Sequence, residues 1–310
     1  MKITTSKLLG LGLGAAALCA SALPAAAASF TQPGATTGAP AGFNPPPGLY
    51  FINVANYGVG GHLNAIPGSN DTAVGVEVPI FVYVPGWNFL GATYAASVAA
   101  PLVEVNVNGP GHVPLNAAHD FFNPYVNPVT LSWAFGNGFG VSIGEGIYIP
   151  VKTTSSGGSS APGLVTSAAS FETRGAISYI GNDWILSQNG ILGIVTKDAA
   201  SIQQANYIGL DQTVAHTFGK WTLGAIGYEY FDINSVAGNT PVGRAVDIGF
   251  GGMLGYNFGV VDLTIRATHE VVTKGGSDYG AHETRVWGTI VIPIWNPTPP
   301  APPRPVVAKY

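Results

Sequence analysis

Polar and apolar side chains alternate along several stretches of the chain, most clearly over residues 261–270. One set of alternate positions there holds Asp262, Thr264, Arg266, Thr268 and Glu270. The positions between them are mostly aliphatic. Because the side chains of a β-strand point alternately to its two faces, this pattern predicts a strand with one polar and one apolar face. Residues 246–257 and 76–84 show the same period of two.

Segments of this kind recur along the chain, rich in Val, Ile, Tyr, Phe and Thr and bounded by Gly, Asn and Pro, which predicts about twelve strands. They cover residues 48–57, 74–84, 89–107, 124–135, 138–150, 168–181, 183–196, 203–217, 220–232, 243–257, 259–272 and 284–294. Most are long enough to cross a bilayer at the tilt of a barrel strand, which takes about 9 to 11 residues.

The connections between these strands alternate in length. Short ones with turn-forming residues lie at 85–88, 136–137, 181–182, 218–219 and near 257–258. Long ones cover 62–73, 108–123, 152–167, 233–242 and 273–283, and the one at 197–202 is intermediate. Bacterial outer-membrane barrels combine short periplasmic turns with long outer loops. The sequence therefore predicts an all-β fold, a transmembrane antiparallel up-and-down β-barrel of about 12 strands, over residues 48–295.

Three further segments surround this predicted barrel. Residues 1–28 combine Lys2 and Lys7, an apolar run and a small-residue end, which predicts a cleaved signal peptide. Residues 29–47 are rich in Pro, Gly and Ala and predict a flexible lead-in. Residues 296–310 hold six prolines and predict an extended tail, because proline cannot donate to a sheet.

Charged residues make up only 9% of the chain, against about 25% in soluble domains. No apolar run after the signal reaches the roughly 18 residues of a spanning helix, so a barrel in the outer membrane explains the low charge. Without Lys2 and Lys7, the 12 basic residues become ten against 16 acidic ones, which argues against a nucleic-acid partner. The only cysteine, Cys19, lies in the signal, so no disulfide or thiolate metal site is expected.

The chain resembles the outer-membrane transporter family named for the meta-pathway of phenol degradation. The matching stretches are Pro-Pro-Gly-Leu-Tyr-Phe-Ile-Asn at 46–53, Asn-Pro-Tyr-Val-Asn-Pro at 123–128 with Trp133, Tyr-Ile-Pro at 148–150, Phe171 and Glu172 with Tyr179, and Trp287 with Pro293 and Ile294. The resemblance implies passive uptake of small hydrophobic or aromatic compounds, with outer-membrane lipid and the barrel-assembly machinery as partners. It implies no catalytic residue and no cofactor.

Charged side chains on the predicted strands are the main candidates for a functional site. A charge on the lipid face costs up to about 2 to 4 kcal/mol near the bilayer centre, so these side chains should point into the lumen. The candidates for the lumen or a constriction are Glu77, Phe81, Tyr83, Glu172, Arg174, Asp247, Asp262, Arg266, Glu270 and Arg285. They either select what passes or form a network that neutralises buried charge and plugs the barrel. Phe81 and Tyr83, which share a face with Glu77, are candidates for contact with an aromatic solute.

Two other sets of residues have competing interpretations. Ten aromatic residues near predicted strand ends favour an interfacial girdle over a path for stacking substrates. They are Trp87, Tyr94, Trp133, Tyr148, Tyr179, Trp184, Trp221, Tyr228, Tyr230 and Trp287. Ser142 lies in a Gly-x-Ser-x-Gly match, but inside a predicted strand and not on the strand-to-helix turn of a hydrolase. No pair of histidines has helical metal-ligand spacing, although His112, His119 and Asp120 could meet on one predicted loop.

The leading hypothesis is a passive outer-membrane channel without enzymatic activity. A structural or adhesion barrel without transport is the first alternative, because the long loops and the tail could bind partners. An outer-membrane hydrolase that uses Ser142 is the second alternative. The sequence predicts no metal or cofactor, and it leaves the oligomeric state open.

Overall fold

The computed structural model describes residues 30–61, 68–151, 168–197, 205–234, 244–275 and 282–297. The predicted signal peptide and almost all of the predicted tail lie outside these residues. The strands are β1 (Gly48–Gly60), β2 (Asp71–Val84), β3 (Asn88–Phe89), β4 (Ala92–Ala99), β5 (Leu102–Asn108), β6 (Pro114–Phe121), β7 (Tyr125–Phe135), β8 (Phe139–Tyr148), β9 (Ser170–Gly181), β10 (Trp184–Val195), β11 (Tyr207–Phe218), β12 (Trp221–Asp232), β13 (Val246–Asn257), β14 (Asp262–Lys274) and β15 (Thr284–Trp295).

The strands form one closed antiparallel sheet. From β7 to β15 each strand pairs with its neighbours in the chain, and β15 pairs with β1. The sheet closes where β2 pairs with β4, from Ile80 to Tyr83. β4 and β5 both pair with β2, one after the other, and so count as one barrel strand. β7 pairs with β4 and β6 pairs with β5, and these two count as the next one. The described residues therefore form twelve barrel strands. The predicted antiparallel barrel is confirmed.

The third predicted strand, 89–107, differs in detail. Ala100 and Pro101 separate β4 from β5, because Pro101 has no N–H to donate to the neighbouring strand. The prediction of a long loop at 108–123 is wrong, since this segment contains β6, which returns along β5. Its Pro, Asn, His and Asp residues are typical of loops, but the free edge of β5 supplies backbone partners that the sequence pattern does not reveal.

Side-chain alternation separates an apolar outer surface from a polar lumen over most of the barrel. On β14, Arg266 and Thr268 are only 2% and 3% exposed, whereas Ile265 between them is 50% exposed. Other large apolar side chains on the same outer surface, such as Leu223 and Phe250, are similarly exposed. An apolar outer surface is what contact with lipid requires. Within the described residues, no helix is long and apolar enough to cross a membrane.

On β2 the two faces are reversed relative to the prediction. Glu77, Phe81 and Tyr83 lie on the outer surface, where both aromatic side chains are 45% exposed. The carboxylate of Glu77 accepts a hydrogen bond of 3.1 Å from Nδ2 of Asn53 on β1. The valines of β2 point inward instead. The rule that charge points inward fails here because Asn53 provides a polar partner outside, and because the lumen beside β2 is itself apolar.

Residues 30–47, here called the N-terminal segment, lie inside the barrel and not ahead of it as a flexible lead-in. At one end, the Phe30 ring packs 5.4 Å from that of Tyr148, the last residue of β8, beside a long connection. At the other end, Nδ2 of Asn44 donates a 3.0 Å hydrogen bond to the carbonyl of Thr93, beside a short turn. The segment therefore runs through the lumen from the long-loop end to the short-turn end.

The N-terminal segment folds as a series of tight turns. The amide of Ala35 donates a 3.0 Å hydrogen bond to the carbonyl of Gln32. The amide of Thr37 donates a 3.1 Å hydrogen bond to the carbonyl of Gly34. Gly34 and Gly38 have φ angles of 81° and 82°, which L-residues with side chains rarely adopt. Pro and Gly at the centre of a turn are typical of a type II turn. The composition that indicated flexibility thus encodes this compact path.

Several inward-facing glycines make room for tyrosine rings. A Cβ atom on Gly193 would lie 2.2 Å from Cζ of Tyr207, and one on Gly249 would lie 2.4 Å from Cζ of Tyr228. Real Cβ atoms do not approach neighbours so closely, so the rings occupy the space that a side chain would need. These contacts pack large aromatic groups flat against the inner wall of a narrow barrel.

Replacing one of these glycines should destabilise the barrel. Gly193→Val would force the Tyr207 ring away from the wall, and we expect a loss of about 1–3 kcal/mol of unfolding free energy from overpacking. Gly175→Val is the matched control, because no atom lies within 4 Å of a Cβ at Gly175. Urea unfolding of both variants in detergent micelles measures the difference. Equal midpoints for the two variants would contradict the packing described here.

The reversed faces of β2 can be tested with a fluorophore on a single cysteine, since Cys19 is the only native cysteine. A label at Phe81→Cys should contact lipid, whereas a label at Ile80→Cys should lie in the lumen. We therefore expect quenchers attached to lipid acyl chains to reduce the fluorescence strongly at position 81 and weakly at position 80. The opposite ranking would restore the predicted orientation of β2.

Candidate functional site

An internal cavity of about 220 Å³ lies between the N-terminal segment and the inner faces of β1, β2, β4 and β5. Its barrel wall is mainly aliphatic, with Val54, Val76, Val78, Ile80, Ala99 and Val103. A cavity of roughly 150 Å³ with aliphatic and aromatic walls can hold benzene in another protein. This cavity therefore has room for one aromatic ring with a small substituent.

The aliphatic wall results from the pairing register of three neighbouring strands. Val76 of β2 pairs with Asn56 of β1 on one side and with Val103 of β5 on the other. Directly paired residues of antiparallel strands point to the same face, so the inward valines of β2 and β5 form one continuous patch. Pro101 continues this patch between β5 and Ala99 of β4.

The opposite edge of the cavity is polar and centred on Arg174. Its Nη2 donates hydrogen bonds to Oε2 of Glu172 over 2.6 Å and to Oγ1 of Thr31 over 2.8 Å. Its guanidinium also lies 4.6 Å from the centre of the Tyr125 ring. Glu172 is completely buried and also accepts a hydrogen bond from the Tyr207 hydroxyl. Arg174 and Glu172 neutralise each other's charge, so this edge of the cavity is polar without a net charge.

Trp287 lines another part of the cavity, held between two arginines. The guanidinium carbons of Arg266 and Arg285 lie 4.8 Å and 5.7 Å from the centre of its ring. Arg285 forms an ion pair with Glu283 and donates a hydrogen bond to Oδ1 of Asn56. Trp287 is 1% exposed, so its orientation is fixed by these contacts. Its ring is a rigid part of the cavity wall.

Asp211 and Arg266 anchor the N-terminal segment that forms the second wall of the cavity. The carboxylate of Asp211 accepts hydrogen bonds from the amides of Gly34 and Thr36, over 3.0 Å and 2.8 Å. Nη1 of Arg266 donates to the carbonyl of Gly34 over 3.0 Å and to Oγ1 of Thr37 over 2.6 Å. Hydrogen bonds to charged groups are stronger than neutral ones. These contacts hold the turn around Gly34 against β11 and β14.

Towards the short-turn end, a small apolar cluster lies beside the cavity. Tyr50, Val84 and Ala95 are buried there, with Val82 and Val291 packed against them. The Tyr50 hydroxyl donates a 2.8 Å hydrogen bond to the carbonyl of Pro46, which ties the cluster to the N-terminal segment. These packed side chains lie between the cavity and the short turns.

The structure separates the predicted lumen charges into groups. Arg174 lines the cavity and is paired with the buried Glu172, and Arg266 and Arg285 contact Trp287. Glu270 is inward but further along β14, where it accepts a 3.2 Å hydrogen bond from the Tyr228 hydroxyl. Asp247 faces inward, where it is paired with Tyr230 of β12 and with Thr273 of β14 on the neighbouring strands. Asp262 is exposed at the short-turn rim and accepts a 2.6 Å bond from Asn257. Glu77, Phe81 and Tyr83 are on the outer surface.

The sequence analysis missed Asp211, the main anchor of the N-terminal segment. The sequence contains the pattern that predicts its position. An acidic residue in the middle of a spanning strand should point inward, because a charge on the lipid face is costly. The girdle assignment was wrong for Tyr148, Tyr228, Tyr230 and Trp287, which are buried in the lumen. Trp87, Trp184 and Trp221 instead are exposed beside the short turns, as an interfacial girdle requires.

The remaining candidates for chemistry have structural roles in the described part of the chain. Ser142 lies inside β8, not on a strand-to-helix turn, and its hydroxyl donates a 2.8 Å hydrogen bond to the carbonyl of Ala41. At the long-loop end, Nδ1 of His112 lies 2.9 Å from Oδ2 of Asp71. No group of three or more possible metal ligands occurs among the described residues.

Comparison with known proteins identifies one family. The family model described as "Putative MetA-pathway of phenol degradation" matches residues 54–280. No curated protein sequence matches the chain.

Three solved structures are similar to this chain to different degrees. An outer membrane channel from Pseudomonas putida F1 superposes with a TM-score of 0.67 at 12% identity, covering 84% of this chain and 99% of that one. A Pseudomonas aeruginosa FadL homologue gives 0.46 at 9% identity, covering 88% and 98%. The monoaromatic hydrocarbon channel CymD gives 0.42 at 10% identity, covering 80% and 88%.

The first of these matches shows that the twelve-stranded fold is that of an outer-membrane channel. The family match extends from β1 to the connection after β14, which is most of the barrel. The chain is therefore an outer-membrane β-barrel that belongs to the family of the MetA pathway of phenol degradation.

Proposed function

We propose that this barrel is a passive channel for small hydrophobic or aromatic compounds. The observation that carries the proposal is the cavity of about 220 Å³ inside the barrel, whose barrel wall is mainly aliphatic. An aliphatic cavity favours an apolar solute over water, because water finds too few hydrogen-bond partners there. The family description and the channel fold of the P. putida protein support the same function.

The polar edge of the cavity narrows the class of solute. Arg174, Thr31 and the Tyr125 ring lie on one side of the apolar space. A ring with a single hydroxyl or similar group could place its apolar part against the valines of β2 and its polar group towards Arg174. Because Glu172 neutralises Arg174, this edge favours neutral polar groups over a full negative charge.

Passage requires more than the cavity itself. The cluster of Tyr50, Val84 and Ala95 is packed on the side of the short turns, so a solute can leave in that direction only if these side chains move. The Tyr50 side chain, hydrogen-bonded to the N-terminal segment, is therefore the proposed gate.

Filling the cavity should reduce aromatic uptake. Val76→Trp would place an indole in the space available to a solute, and we expect the initial rate of phenol or toluene entry to fall at least about fivefold at limiting concentration. Val98→Trp is the matched control, because Val98 is 48% exposed on the outer surface of β4. Rates are measured in cells that lack the native gene and carry each variant, with barrel assembly checked by heat-modifiable migration.

The comparison with deletion cells decides the function itself. If wild-type and deletion cells take up every aromatic compound tested at the same rate, the barrel is not a channel for this class of solute. If uptake depends on the barrel but Val76→Trp and Val98→Trp behave alike, the solute passes elsewhere in the lumen.

Removing the gate side chain should have the opposite effect. Tyr50→Ala removes the ring that packs against Val84 and the hydroxyl that bonds to Pro46. We expect uptake of the same aromatic compound to rise about two- to tenfold, because the apolar barrier on the short-turn side is thinned. Tyr50→Phe keeps the ring without the hydrogen bond and should stay near the wild-type rate. An uptake rate for Tyr50→Ala at or below wild type would place the barrier elsewhere.

A further inference from the structure

The inner surface of the barrel has two chemically different halves. The half formed by β1, β2, β4 and β5 presents aliphatic side chains to the cavity. The other half also contains apolar side chains such as Ile191, Ile226 and Met253, but it carries a series of small polar and charged ones. These include Ser132, Ser142, Ser178, Ser187, Asp211 and Thr213. An interior of the second kind is typical of water-filled barrels. The polar half by itself would therefore favour water and ions.

The N-terminal segment covers this polar half. The amides of Gly38 and Gly42 donate hydrogen bonds to Oγ1 of Thr213 over 2.7 Å and to Oγ of Ser178 over 2.8 Å. In the other direction, Oγ of Ser132 donates to the carbonyl of Gly42 over 2.8 Å. The backbone of the segment thus takes the place that water would occupy along the wall, from β7 across to β11.

The composition of the segment suits this role. Residues 30–47 contain no charged side chain, so the segment adds no charge to the lumen. Its backbone supplies the partners for Asp211 and Arg266, whose side chains would otherwise be charged groups facing the lumen. A buried polar group left without a partner costs about 1–3 kcal/mol, and more if it is charged, so wall and segment depend on each other.

The free space that remains is bounded largely by the aliphatic half. The cavity lies on the side of the segment that faces β1, β2, β4 and β5, away from Asp211. We propose that residues 30–44 are the specificity-determining element of the barrel, which excludes ions and hydrophilic solutes by covering the polar wall. Narrow apolar passages exclude ions because water does not remain in them. This inference concerns what is kept out, and it does not depend on aromatic compounds being the solute.

The test is to remove the cover and measure hydrophilic permeability. A chain that lacks residues 30–44 but keeps the signal peptide is purified and compared with the full chain. We expect the ionic conductance in planar bilayers and the entry of arabinose into liposomes to increase at least about fivefold, because the polar wall becomes hydrated. Barrel assembly is confirmed by heat-modifiable migration. An assembled truncated barrel with unchanged conductance and arabinose entry would overturn the proposal.

A second variant keeps the whole chain and loosens the cover. Asp211→Ala with Arg266→Ala removes both anchors together, so that neither buried charge is left without its neighbour. We expect both hydrophilic readouts to increase about twofold or more. The matched control is Glu145→Ala with Thr173→Ala, a 2.8 Å hydrogen-bonded pair on the outer surface, which should leave them unchanged. If the truncated chain does not assemble, this pair of variants decides the question, and equal readouts for the two would overturn the proposal.

The outcome is separable from that of the aromatic-uptake experiments. Conductance and arabinose entry require no aromatic solute, so failure of phenol or toluene uptake in the wild type would leave this test intact. Conversely, an increase in hydrophilic permeability without the segment would not by itself establish which compounds the intact channel carries.

Discussion

Every other feature of this barrel depends on one constraint: a backbone that crosses hydrocarbon must satisfy all its hydrogen bonds within the protein. A closed antiparallel sheet does this without a free edge in the membrane. Closure then fixes the direction of every side chain, because successive residues of a strand point to lipid and to lumen in turn. Polar side chains collect in a confined space, where each one needs a partner. In this barrel the partner for much of the polar wall is the chain's own N-terminal segment.

The lumen therefore has an aliphatic wall and a polar wall, with the N-terminal segment between them. The segment is held by charge-assisted hydrogen bonds at Asp211 and Arg266 and by a series of serine and threonine contacts along β7–β11. It leaves a cavity whose main wall is the valine patch of β2 and β5. Arg174 and Glu172 connect the two surfaces, because both bond to Thr31 of the segment and Arg174 also borders the cavity. The arrangement gives a narrow barrel an apolar interior without placing apolar side chains on every strand.

The site was only partly predictable from the pattern of residues. Arg174, Arg266 and Glu172 point inward, as the cost of charge in lipid requires. Applied to β2, the same reasoning gave the wrong face, since the energy of Glu77 depends on Asn53 of the neighbouring strand, which no single-strand pattern contains. The aromatic side chains show a similar limit. Trp221 and Tyr228 both lie on β12 but point to opposite faces, and nearness to a strand end, on which the girdle prediction rested, does not distinguish the two faces.

The sequence by itself determined the number of strands, their antiparallel order and the end at which the short turns lie. These follow from local rules, namely a side-chain period of two and turn residues at fixed spacing. Only the tertiary structure decided where residues 30–47 lie, which half of the lumen they cover and where an apolar cavity remains. Turns rich in Pro and Gly have the same composition whether they are free in solvent or packed in a lumen. The difference is made by hydrogen-bond partners such as Asp211 and Ser178, well over a hundred residues away in the sequence.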